Sequence, residues 1–86
     1  NTKVFVEFLA GDDNVTAAGY AIVARTATLA DAVSAATITF ASGNEVEGYY
    51  SDAALSDAIE TTAVFNDVLG GGELTLKVWV KSQATG

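Results

Sequence analysis

Glu73–Lys81 reads ELTLKVWVK. In an extended chain Leu74, Leu76, Val78 and Val80 fall on one side, and Glu73, Thr75, Lys77, Trp79 and Lys81 on the other. Unbroken period-two alternation with one apolar face predicts a half-buried β-strand, and the rest of the chain is expected to pack around it. Ser82–Gly86 (SQATG), beyond this strand, is polar and predicts a frayed tail. Gly70, Gly71 and Gly72, just before it, stop whatever precedes them, since glycine readily takes the left-handed cap conformation. They do not make a phosphate loop, which needs Lys and Ser or Thr where Glu73 and Leu74 follow.

Further upstream, Ser51–Leu69 predicts a helix, with Leu55, Ile59 and Ala63 at helical spacing. Ser51 or Ser56 supplies its N-cap, and Asp52 and Asp57 suit the positive end of the helix dipole. Thr61-Thr62 is its weak point, and Val64-Phe65 is an alternative start for an extended piece. Glu45–Tyr50 and Thr37–Ala41 predict two strands joined across Ser42-Gly43-Asn44, a turn signal, as a hairpin. Thr28 opens a short helix ending near Ala36, because Thr28 and Asp31 have the spacing of a capping box. Lys3–Leu9 predicts a first strand with apolar bulk on both faces, hence a central strand covered on both sides. Val15–Arg25 predicts a second strand, strongest at Tyr20–Ala24, that pairs with the first as a hairpin across Ala10–Asn14; Gly19 suggests a bulge or a close approach of backbones.

These elements predict one α+β domain over residues 1–86, with a mixed or antiparallel sheet of four to five strands and one or two short helices. An all-β sandwich is the alternative. The order ββαββαβ resembles that of β-grasp domains, the ubiquitin-like and PB1 domains among them. The resemblance spans nearly the whole chain and implies a last strand lying beside the first. The acidic type of PB1 domain carries a compact acidic loop after the third strand. The corresponding Gly43–Glu47 stretch has only two acids, and Lys3 is the one base in the first strand.

Composition removes whole classes of chemistry. The chain has no Cys and no His, so it has no thiolate nucleophile, disulfide, imidazole base or Ser-His-Asp triad. Eleven acids against four bases give a formal charge of −7. Lys3, Arg25, Lys77 and Lys81 are scattered and make no phosphate-neutralising stripe, so nucleic acid is not an expected partner. The acidic balance also disfavours anionic membranes, and no apolar run reaches the length of a membrane span.

Asp12, Asp13 and Asn14 form the densest cluster of oxygen ligands and are the candidate Ca²⁺ site, although the EF-hand pattern is absent; the competing reading is a solvated turn. Glu45 and Glu47, on one face of their strand, could share a proton, but no nucleophile accompanies them. Trp79, flanked by Lys77 and Lys81 and joined by Tyr49 and Tyr50, is the candidate interface, since aromatics with a polar tip favour protein contacts. The competing reading buries Trp79 under a second layer. The expectation is a non-catalytic structural subunit without cofactor or small-molecule substrate. It packs against copies of itself, as coat, decoration or surface-filament proteins do. A β-grasp interaction module binding a more basic partner is the alternative.

Overall fold

The computed structural model describes residues 3–69 and 73–85. In chain order its elements are β1 (Lys3–Ala10), β2 (Val15–Ala17), β3 (Tyr20–Ala24), α1 (Leu29–Ala35), β4 (Thr39–Phe40), β5 (Asn44–Tyr50), β6 (Ala58–Ile59), α2 (Phe65–Val68) and β7 (Thr75–Ala84). Five strands form one sheet in the order β3-β1-β7-β5-β6, and β2 and β4 form a separate two-stranded sheet. β1 runs parallel to β7, and every other pair in the large sheet is antiparallel. This is a small α+β fold and not an all-β sandwich, because both helices contribute to the core. Neither helix is long and apolar enough to cross a membrane.

The alternation that predicts β7 also sets its burial, with Val78, Val80 and Ser82 buried, whereas Leu74, expected on the same face, precedes the strand and is 46% exposed. Val4, Val6 and Phe8 are likewise buried on β1, and Leu29 and Ala32 of α1 and Phe65 of α2 pack into the same cluster. The largest fully buried side chains are Phe65, Leu29, Val4, Val6, Val78 and Val80, each worth about 1.5–3 kcal/mol of transfer free energy. The core therefore lies between one face of the large sheet and the helices. α1 starts as its sequence predicts. Thr28 Oγ1 accepts from the Asp31 N–H (3.4 Å) and Asp31 Oδ2 accepts from the Thr28 N–H (3.1 Å), a complete capping box.

Several segments depart from their predicted form. Val15–Arg25 is not one strand. Gly19 sits at φ +66° and breaks it, so β2 pairs with β4 (Val15 with Phe40) while β3 pairs with β1. β4 is thereby taken from the predicted hairpin with β5. β1 is an interior strand, second of five with β7 at the centre, and is covered on one face only, since Phe5 remains 38% exposed. Ser51–Leu69 is not a helix. The Asp52 carboxylate accepts from Ser56 N–H (3.0 Å), Ser56 Oγ (2.6 Å) and Asp57 N–H (3.0 Å), and closes a turn instead. Leu55 takes φ +60° in that turn, Ile59 joins β6 beside Tyr49, and only Phe65–Val68 is helical. The predicted tail is strand as far as Ala84, with Ser82 buried and Thr85 N–H donating to Gly43 O (3.0 Å). The Gly70–Gly72 stop lies outside the described residues, as does Gly86.

Gly11 marks the tightest approach in the sheet. Its N–H donates to Val80 O (2.8 Å), and a Cβ at this position would stand 2.6 Å from that same oxygen and 3.0 Å from Leu55 Cδ2. Backbone cannot yield as a side-chain end can. Gly11→Ala is expected to destabilise the fold by about 1–3 kcal/mol, read as a lower urea midpoint with an unchanged m-value.

Candidate functional site

With both helices packed on the Val78 face, the opposite face of the large sheet carries no helix among the described residues. Strand register places its side chains in rows. Phe5 lies between Ile22 of β3 and Thr75 of β7, Glu7 between Tyr20 and Lys77, and Trp79 between Leu9 of β1 and Tyr50 of β5. Lys81 stands opposite Gly48, where β5 carries an irregularity between Val46 and Gly48. The apolar exposure is concentrated at the β3 end: Tyr20 and Ile22 are both 59% exposed. The Phe5 and Tyr20 rings meet at 5.4 Å between centroids, tilted by 35°, within the range of favourable aromatic pairs.

The predicted interface residues separate into two groups. Trp79, Lys77, Lys81 and Tyr50 share this open face, with Trp79 half-buried between its neighbours. Tyr49 does not join them. It is 8% exposed and packs edge-on to Phe8 at 6.4 Å between centroids, so it belongs to the core. Burial pushes its hydroxyl pKa up. Tyr50 Oη donates to Glu47 Oε1 (2.8 Å), and this bond to a carboxylate holds its pKa above the ordinary phenol value. Glu45 Oε2 accepts separately from Gln83 Nε2 (3.2 Å). The two glutamates thus have different partners and do not form a shared acid–base pair. Tyr20, Ile22 and Phe5, the exposed large apolar members of the face, are absent from the predicted set.

In the candidate Ca²⁺ cluster, Asp12 has a structural use. Asp12 Oδ2 accepts from Ser82 N–H (2.8 Å), and its Oδ1 accepts from Ser82 Oγ (2.7 Å) and Asn14 N–H (2.9 Å). The carboxylate ties the β1–β2 loop to β7 and closes the turn at Asn14. Asp13 and Asn14 are exposed beside it. No group of three or more acidic side chains among the described residues is arranged to hold a metal ion. Surface grooves occur among the described residues. One, of about 410 Å³, runs along β3 and is lined by Gly19, Tyr20, Ala21, Ile22, Ala35 and Thr37. Another, of about 420 Å³, runs along β5 and β6 from Val46 to Thr61 and carries Glu47 and Glu60.

No known protein family, curated protein or solved structure matches the chain. The surface itself therefore carries the functional argument.

The Ser82 hydrogen bonds, backbone first and side chain second, hold the Asp12 pKa below the ordinary aspartate value. Because the folded value lies below the unfolded one, this stabilisation is complete above the unfolded pKa of about 3.9 and disappears as pH falls through the folded pKa. Asp12→Ala should cost roughly 1–2 kcal/mol at pH 7, since it leaves donors of buried Ser82 unpaired. The difference from wild type should shrink as pH is lowered below about 4, in urea unfolding series collected at stepped pH.

Proposed function

We propose that the chain is a non-catalytic structural subunit that assembles with copies of itself by protein–protein packing, as coat, decoration or surface-filament proteins do. One observation carries this reading: Phe5, Tyr20 and Ile22 are large, exposed and adjacent on the uncovered sheet face. Scattered exposed apolar residues are ordinary, whereas a contiguous patch marks a contact surface. The patch occurs in a chain whose charge of −7 otherwise favours separation of copies. Trp79, Tyr50 and Leu9 continue the face toward β5. The paired lysines 77 and 81 bring the opposite charge to an otherwise acidic surface.

A second reading is supported by the topology. The antiparallel pair β1 and β3, the helix that follows it, a short penultimate strand, and a last strand parallel to the first and beside it are the features expected of a β-grasp domain. Such a domain would act as an interaction module. Glu45, Glu47, Asp57 and Glu60, in and around β5 and β6, would then meet a basic partner.

Solution mass separates the two. On the first reading, light scattering after size exclusion gives a mass that rises above 8.8 kDa with protein concentration. It rises further with added salt, because screening weakens repulsion between acidic copies. A constant 8.8 kDa at every concentration and salt overturns self-assembly and leaves the interaction module.

A further inference from the structure

Building on the self-assembly reading, we infer that two copies join by antiparallel pairing of β3 with β3 of a second copy. The pairing is centred on Ile22, so that two five-stranded sheets become one continuous sheet. Phe8 N–H donates to Gly19 O (3.0 Å), so the hydrogen-bonded positions of the β1–β3 ladder are Phe8 with Gly19, Val6 with Ala21 and Val4 with Val23. Tyr20, Ile22 and Ala24 turn their N–H and C=O groups the other way; the Ala24 carbonyl already accepts from the Ala27 N–H (3.0 Å), so the open stretch of this edge is Tyr20 to Ile22. β3 is the last strand on its side of the sheet, and no strand among the described residues takes up this outer edge. An edge of unpaired donors and acceptors is a template for another strand.

The other edge of the sheet differs. β6 is two residues long and flanked by Asp57 and Glu60. A second copy brought to it would set acid against acid. β3 is five residues long, and no charged residue occurs from Asn14 through Ala24. Beside it runs the 410 Å³ groove, lined also by Ala35 and by Thr37, whose backbone lies against Gly19 at the start of this edge. Both side chains are short and uncharged.

The side chains favour a second copy over an unrelated peptide. Only the Ile22-centred symmetric register overlaps all of Tyr20–Ala24 with its mate. In that register Ile22 meets Ile22 of the second copy, and the large Tyr20 faces the small Ala24, twice. The rows then extend across the junction. Phe5 and Ile22 of one copy continue into Ile22 and Phe5 of the other, one uninterrupted apolar row. Glu7 and Tyr20 continue into Ala24 and Lys3 of the second copy, so each outer row carries Glu7 between Lys77 of its own copy and Lys3 of the other. No acid is set opposite an acid. This contact is isologous and uses the same edge in both partners, so it closes at two copies. Growth beyond the dimer would require another surface, such as the Trp79 face.

The test uses the full chain and three variants, each checked for fold by circular dichroism. Ile22→Pro removes an outward N–H while leaving the ladder positions Ala21 and Val23 intact, a placement that edge strands tolerate. Ile22→Lys sets two like charges across the two-fold axis, although it lowers the net acidic repulsion between copies. Each should weaken dimerisation on the order of a hundredfold, measured by sedimentation equilibrium; if the proline variant fails to fold, the lysine variant decides. Trp79→Ala, two strands away, should retain the dimer. In the wild type the Ile22 amide should gain protection from hydrogen exchange as concentration rises.

If the wild type associates and the folded Ile22 variants associate equally well, edge pairing is overturned while self-assembly stands. Loss of association in Trp79→Ala alone likewise overturns it, in favour of face-to-face stacking. A wild type fixed at 8.8 kDa removes both this inference and the reading beneath it.

Discussion

The parallel pairing of β1 with β7 joins the beginning of the described chain to its end. Phe5 stands beside Thr75 and Ala10 beside Val80. Each strand then recruits an antiparallel neighbour on its free side, β3 on β1 and β5 on β7. Two adjacent parallel strands demand a crossover over one face of the sheet. The intervening chain provides it, and the side chains it brings, Leu29, Ala32 and Phe65, fill the space over Val4, Val6, Val78 and Val80. One face is dry for that reason and the other open. The exposure of Phe5, Tyr20 and Ile22 follows from where the crossover runs.

The polar groups secure this arrangement at its margins. Asp12 clamps the β1–β2 loop to Ser82, and Gly11 lets the same loop lie against Val80. Asp52 closes the turn into β6. At the start of β7, the Arg25 guanidinium donates to Asn66 Oδ1 (2.9 Å) and to the Glu73 carbonyl oxygen. Several of the acids therefore shape loops through hydrogen bonds to backbone and hydroxyl groups, and β3 is left uncharged.

Where local signals agree with tertiary demands, the sequence is legible. The alternation of β7 fixes which of its residues are buried, and Thr28 with Asp31 fixes the start of α1. Ser51–Leu69 misleads because Leu55, Ile59 and Ala63 keep helical spacing for unrelated reasons: one lies over Gly11 and another sits in a strand. The Asp52 carboxylate competes for the amides that a helix would need. The candidate surface is half legible. Parity puts Trp79 and Lys77 on the open face, and the same parity forces adjacent Tyr49 and Tyr50 to opposite faces, so only one could accompany Trp79. Tyr20 and Ile22 are hidden inside YAIVA, an uninterrupted apolar run in which nothing local tells the covered side from the bare one.

The β1–β7 pairing also orders events in time. Strands joined across nearly the whole chain cannot meet until the last of them exists, so the defining contact has the greatest loop to close. During synthesis the β1–β3 hairpin is complete long before β7 leaves the ribosome. Until then β1 is bare along the side that β7 will occupy, and Val4, Val6 and Phe8 lack Val78 and Val80 beside them. The nascent protein thus passes through a stage with two open hairpin edges, and arrival of β7 closes one of them.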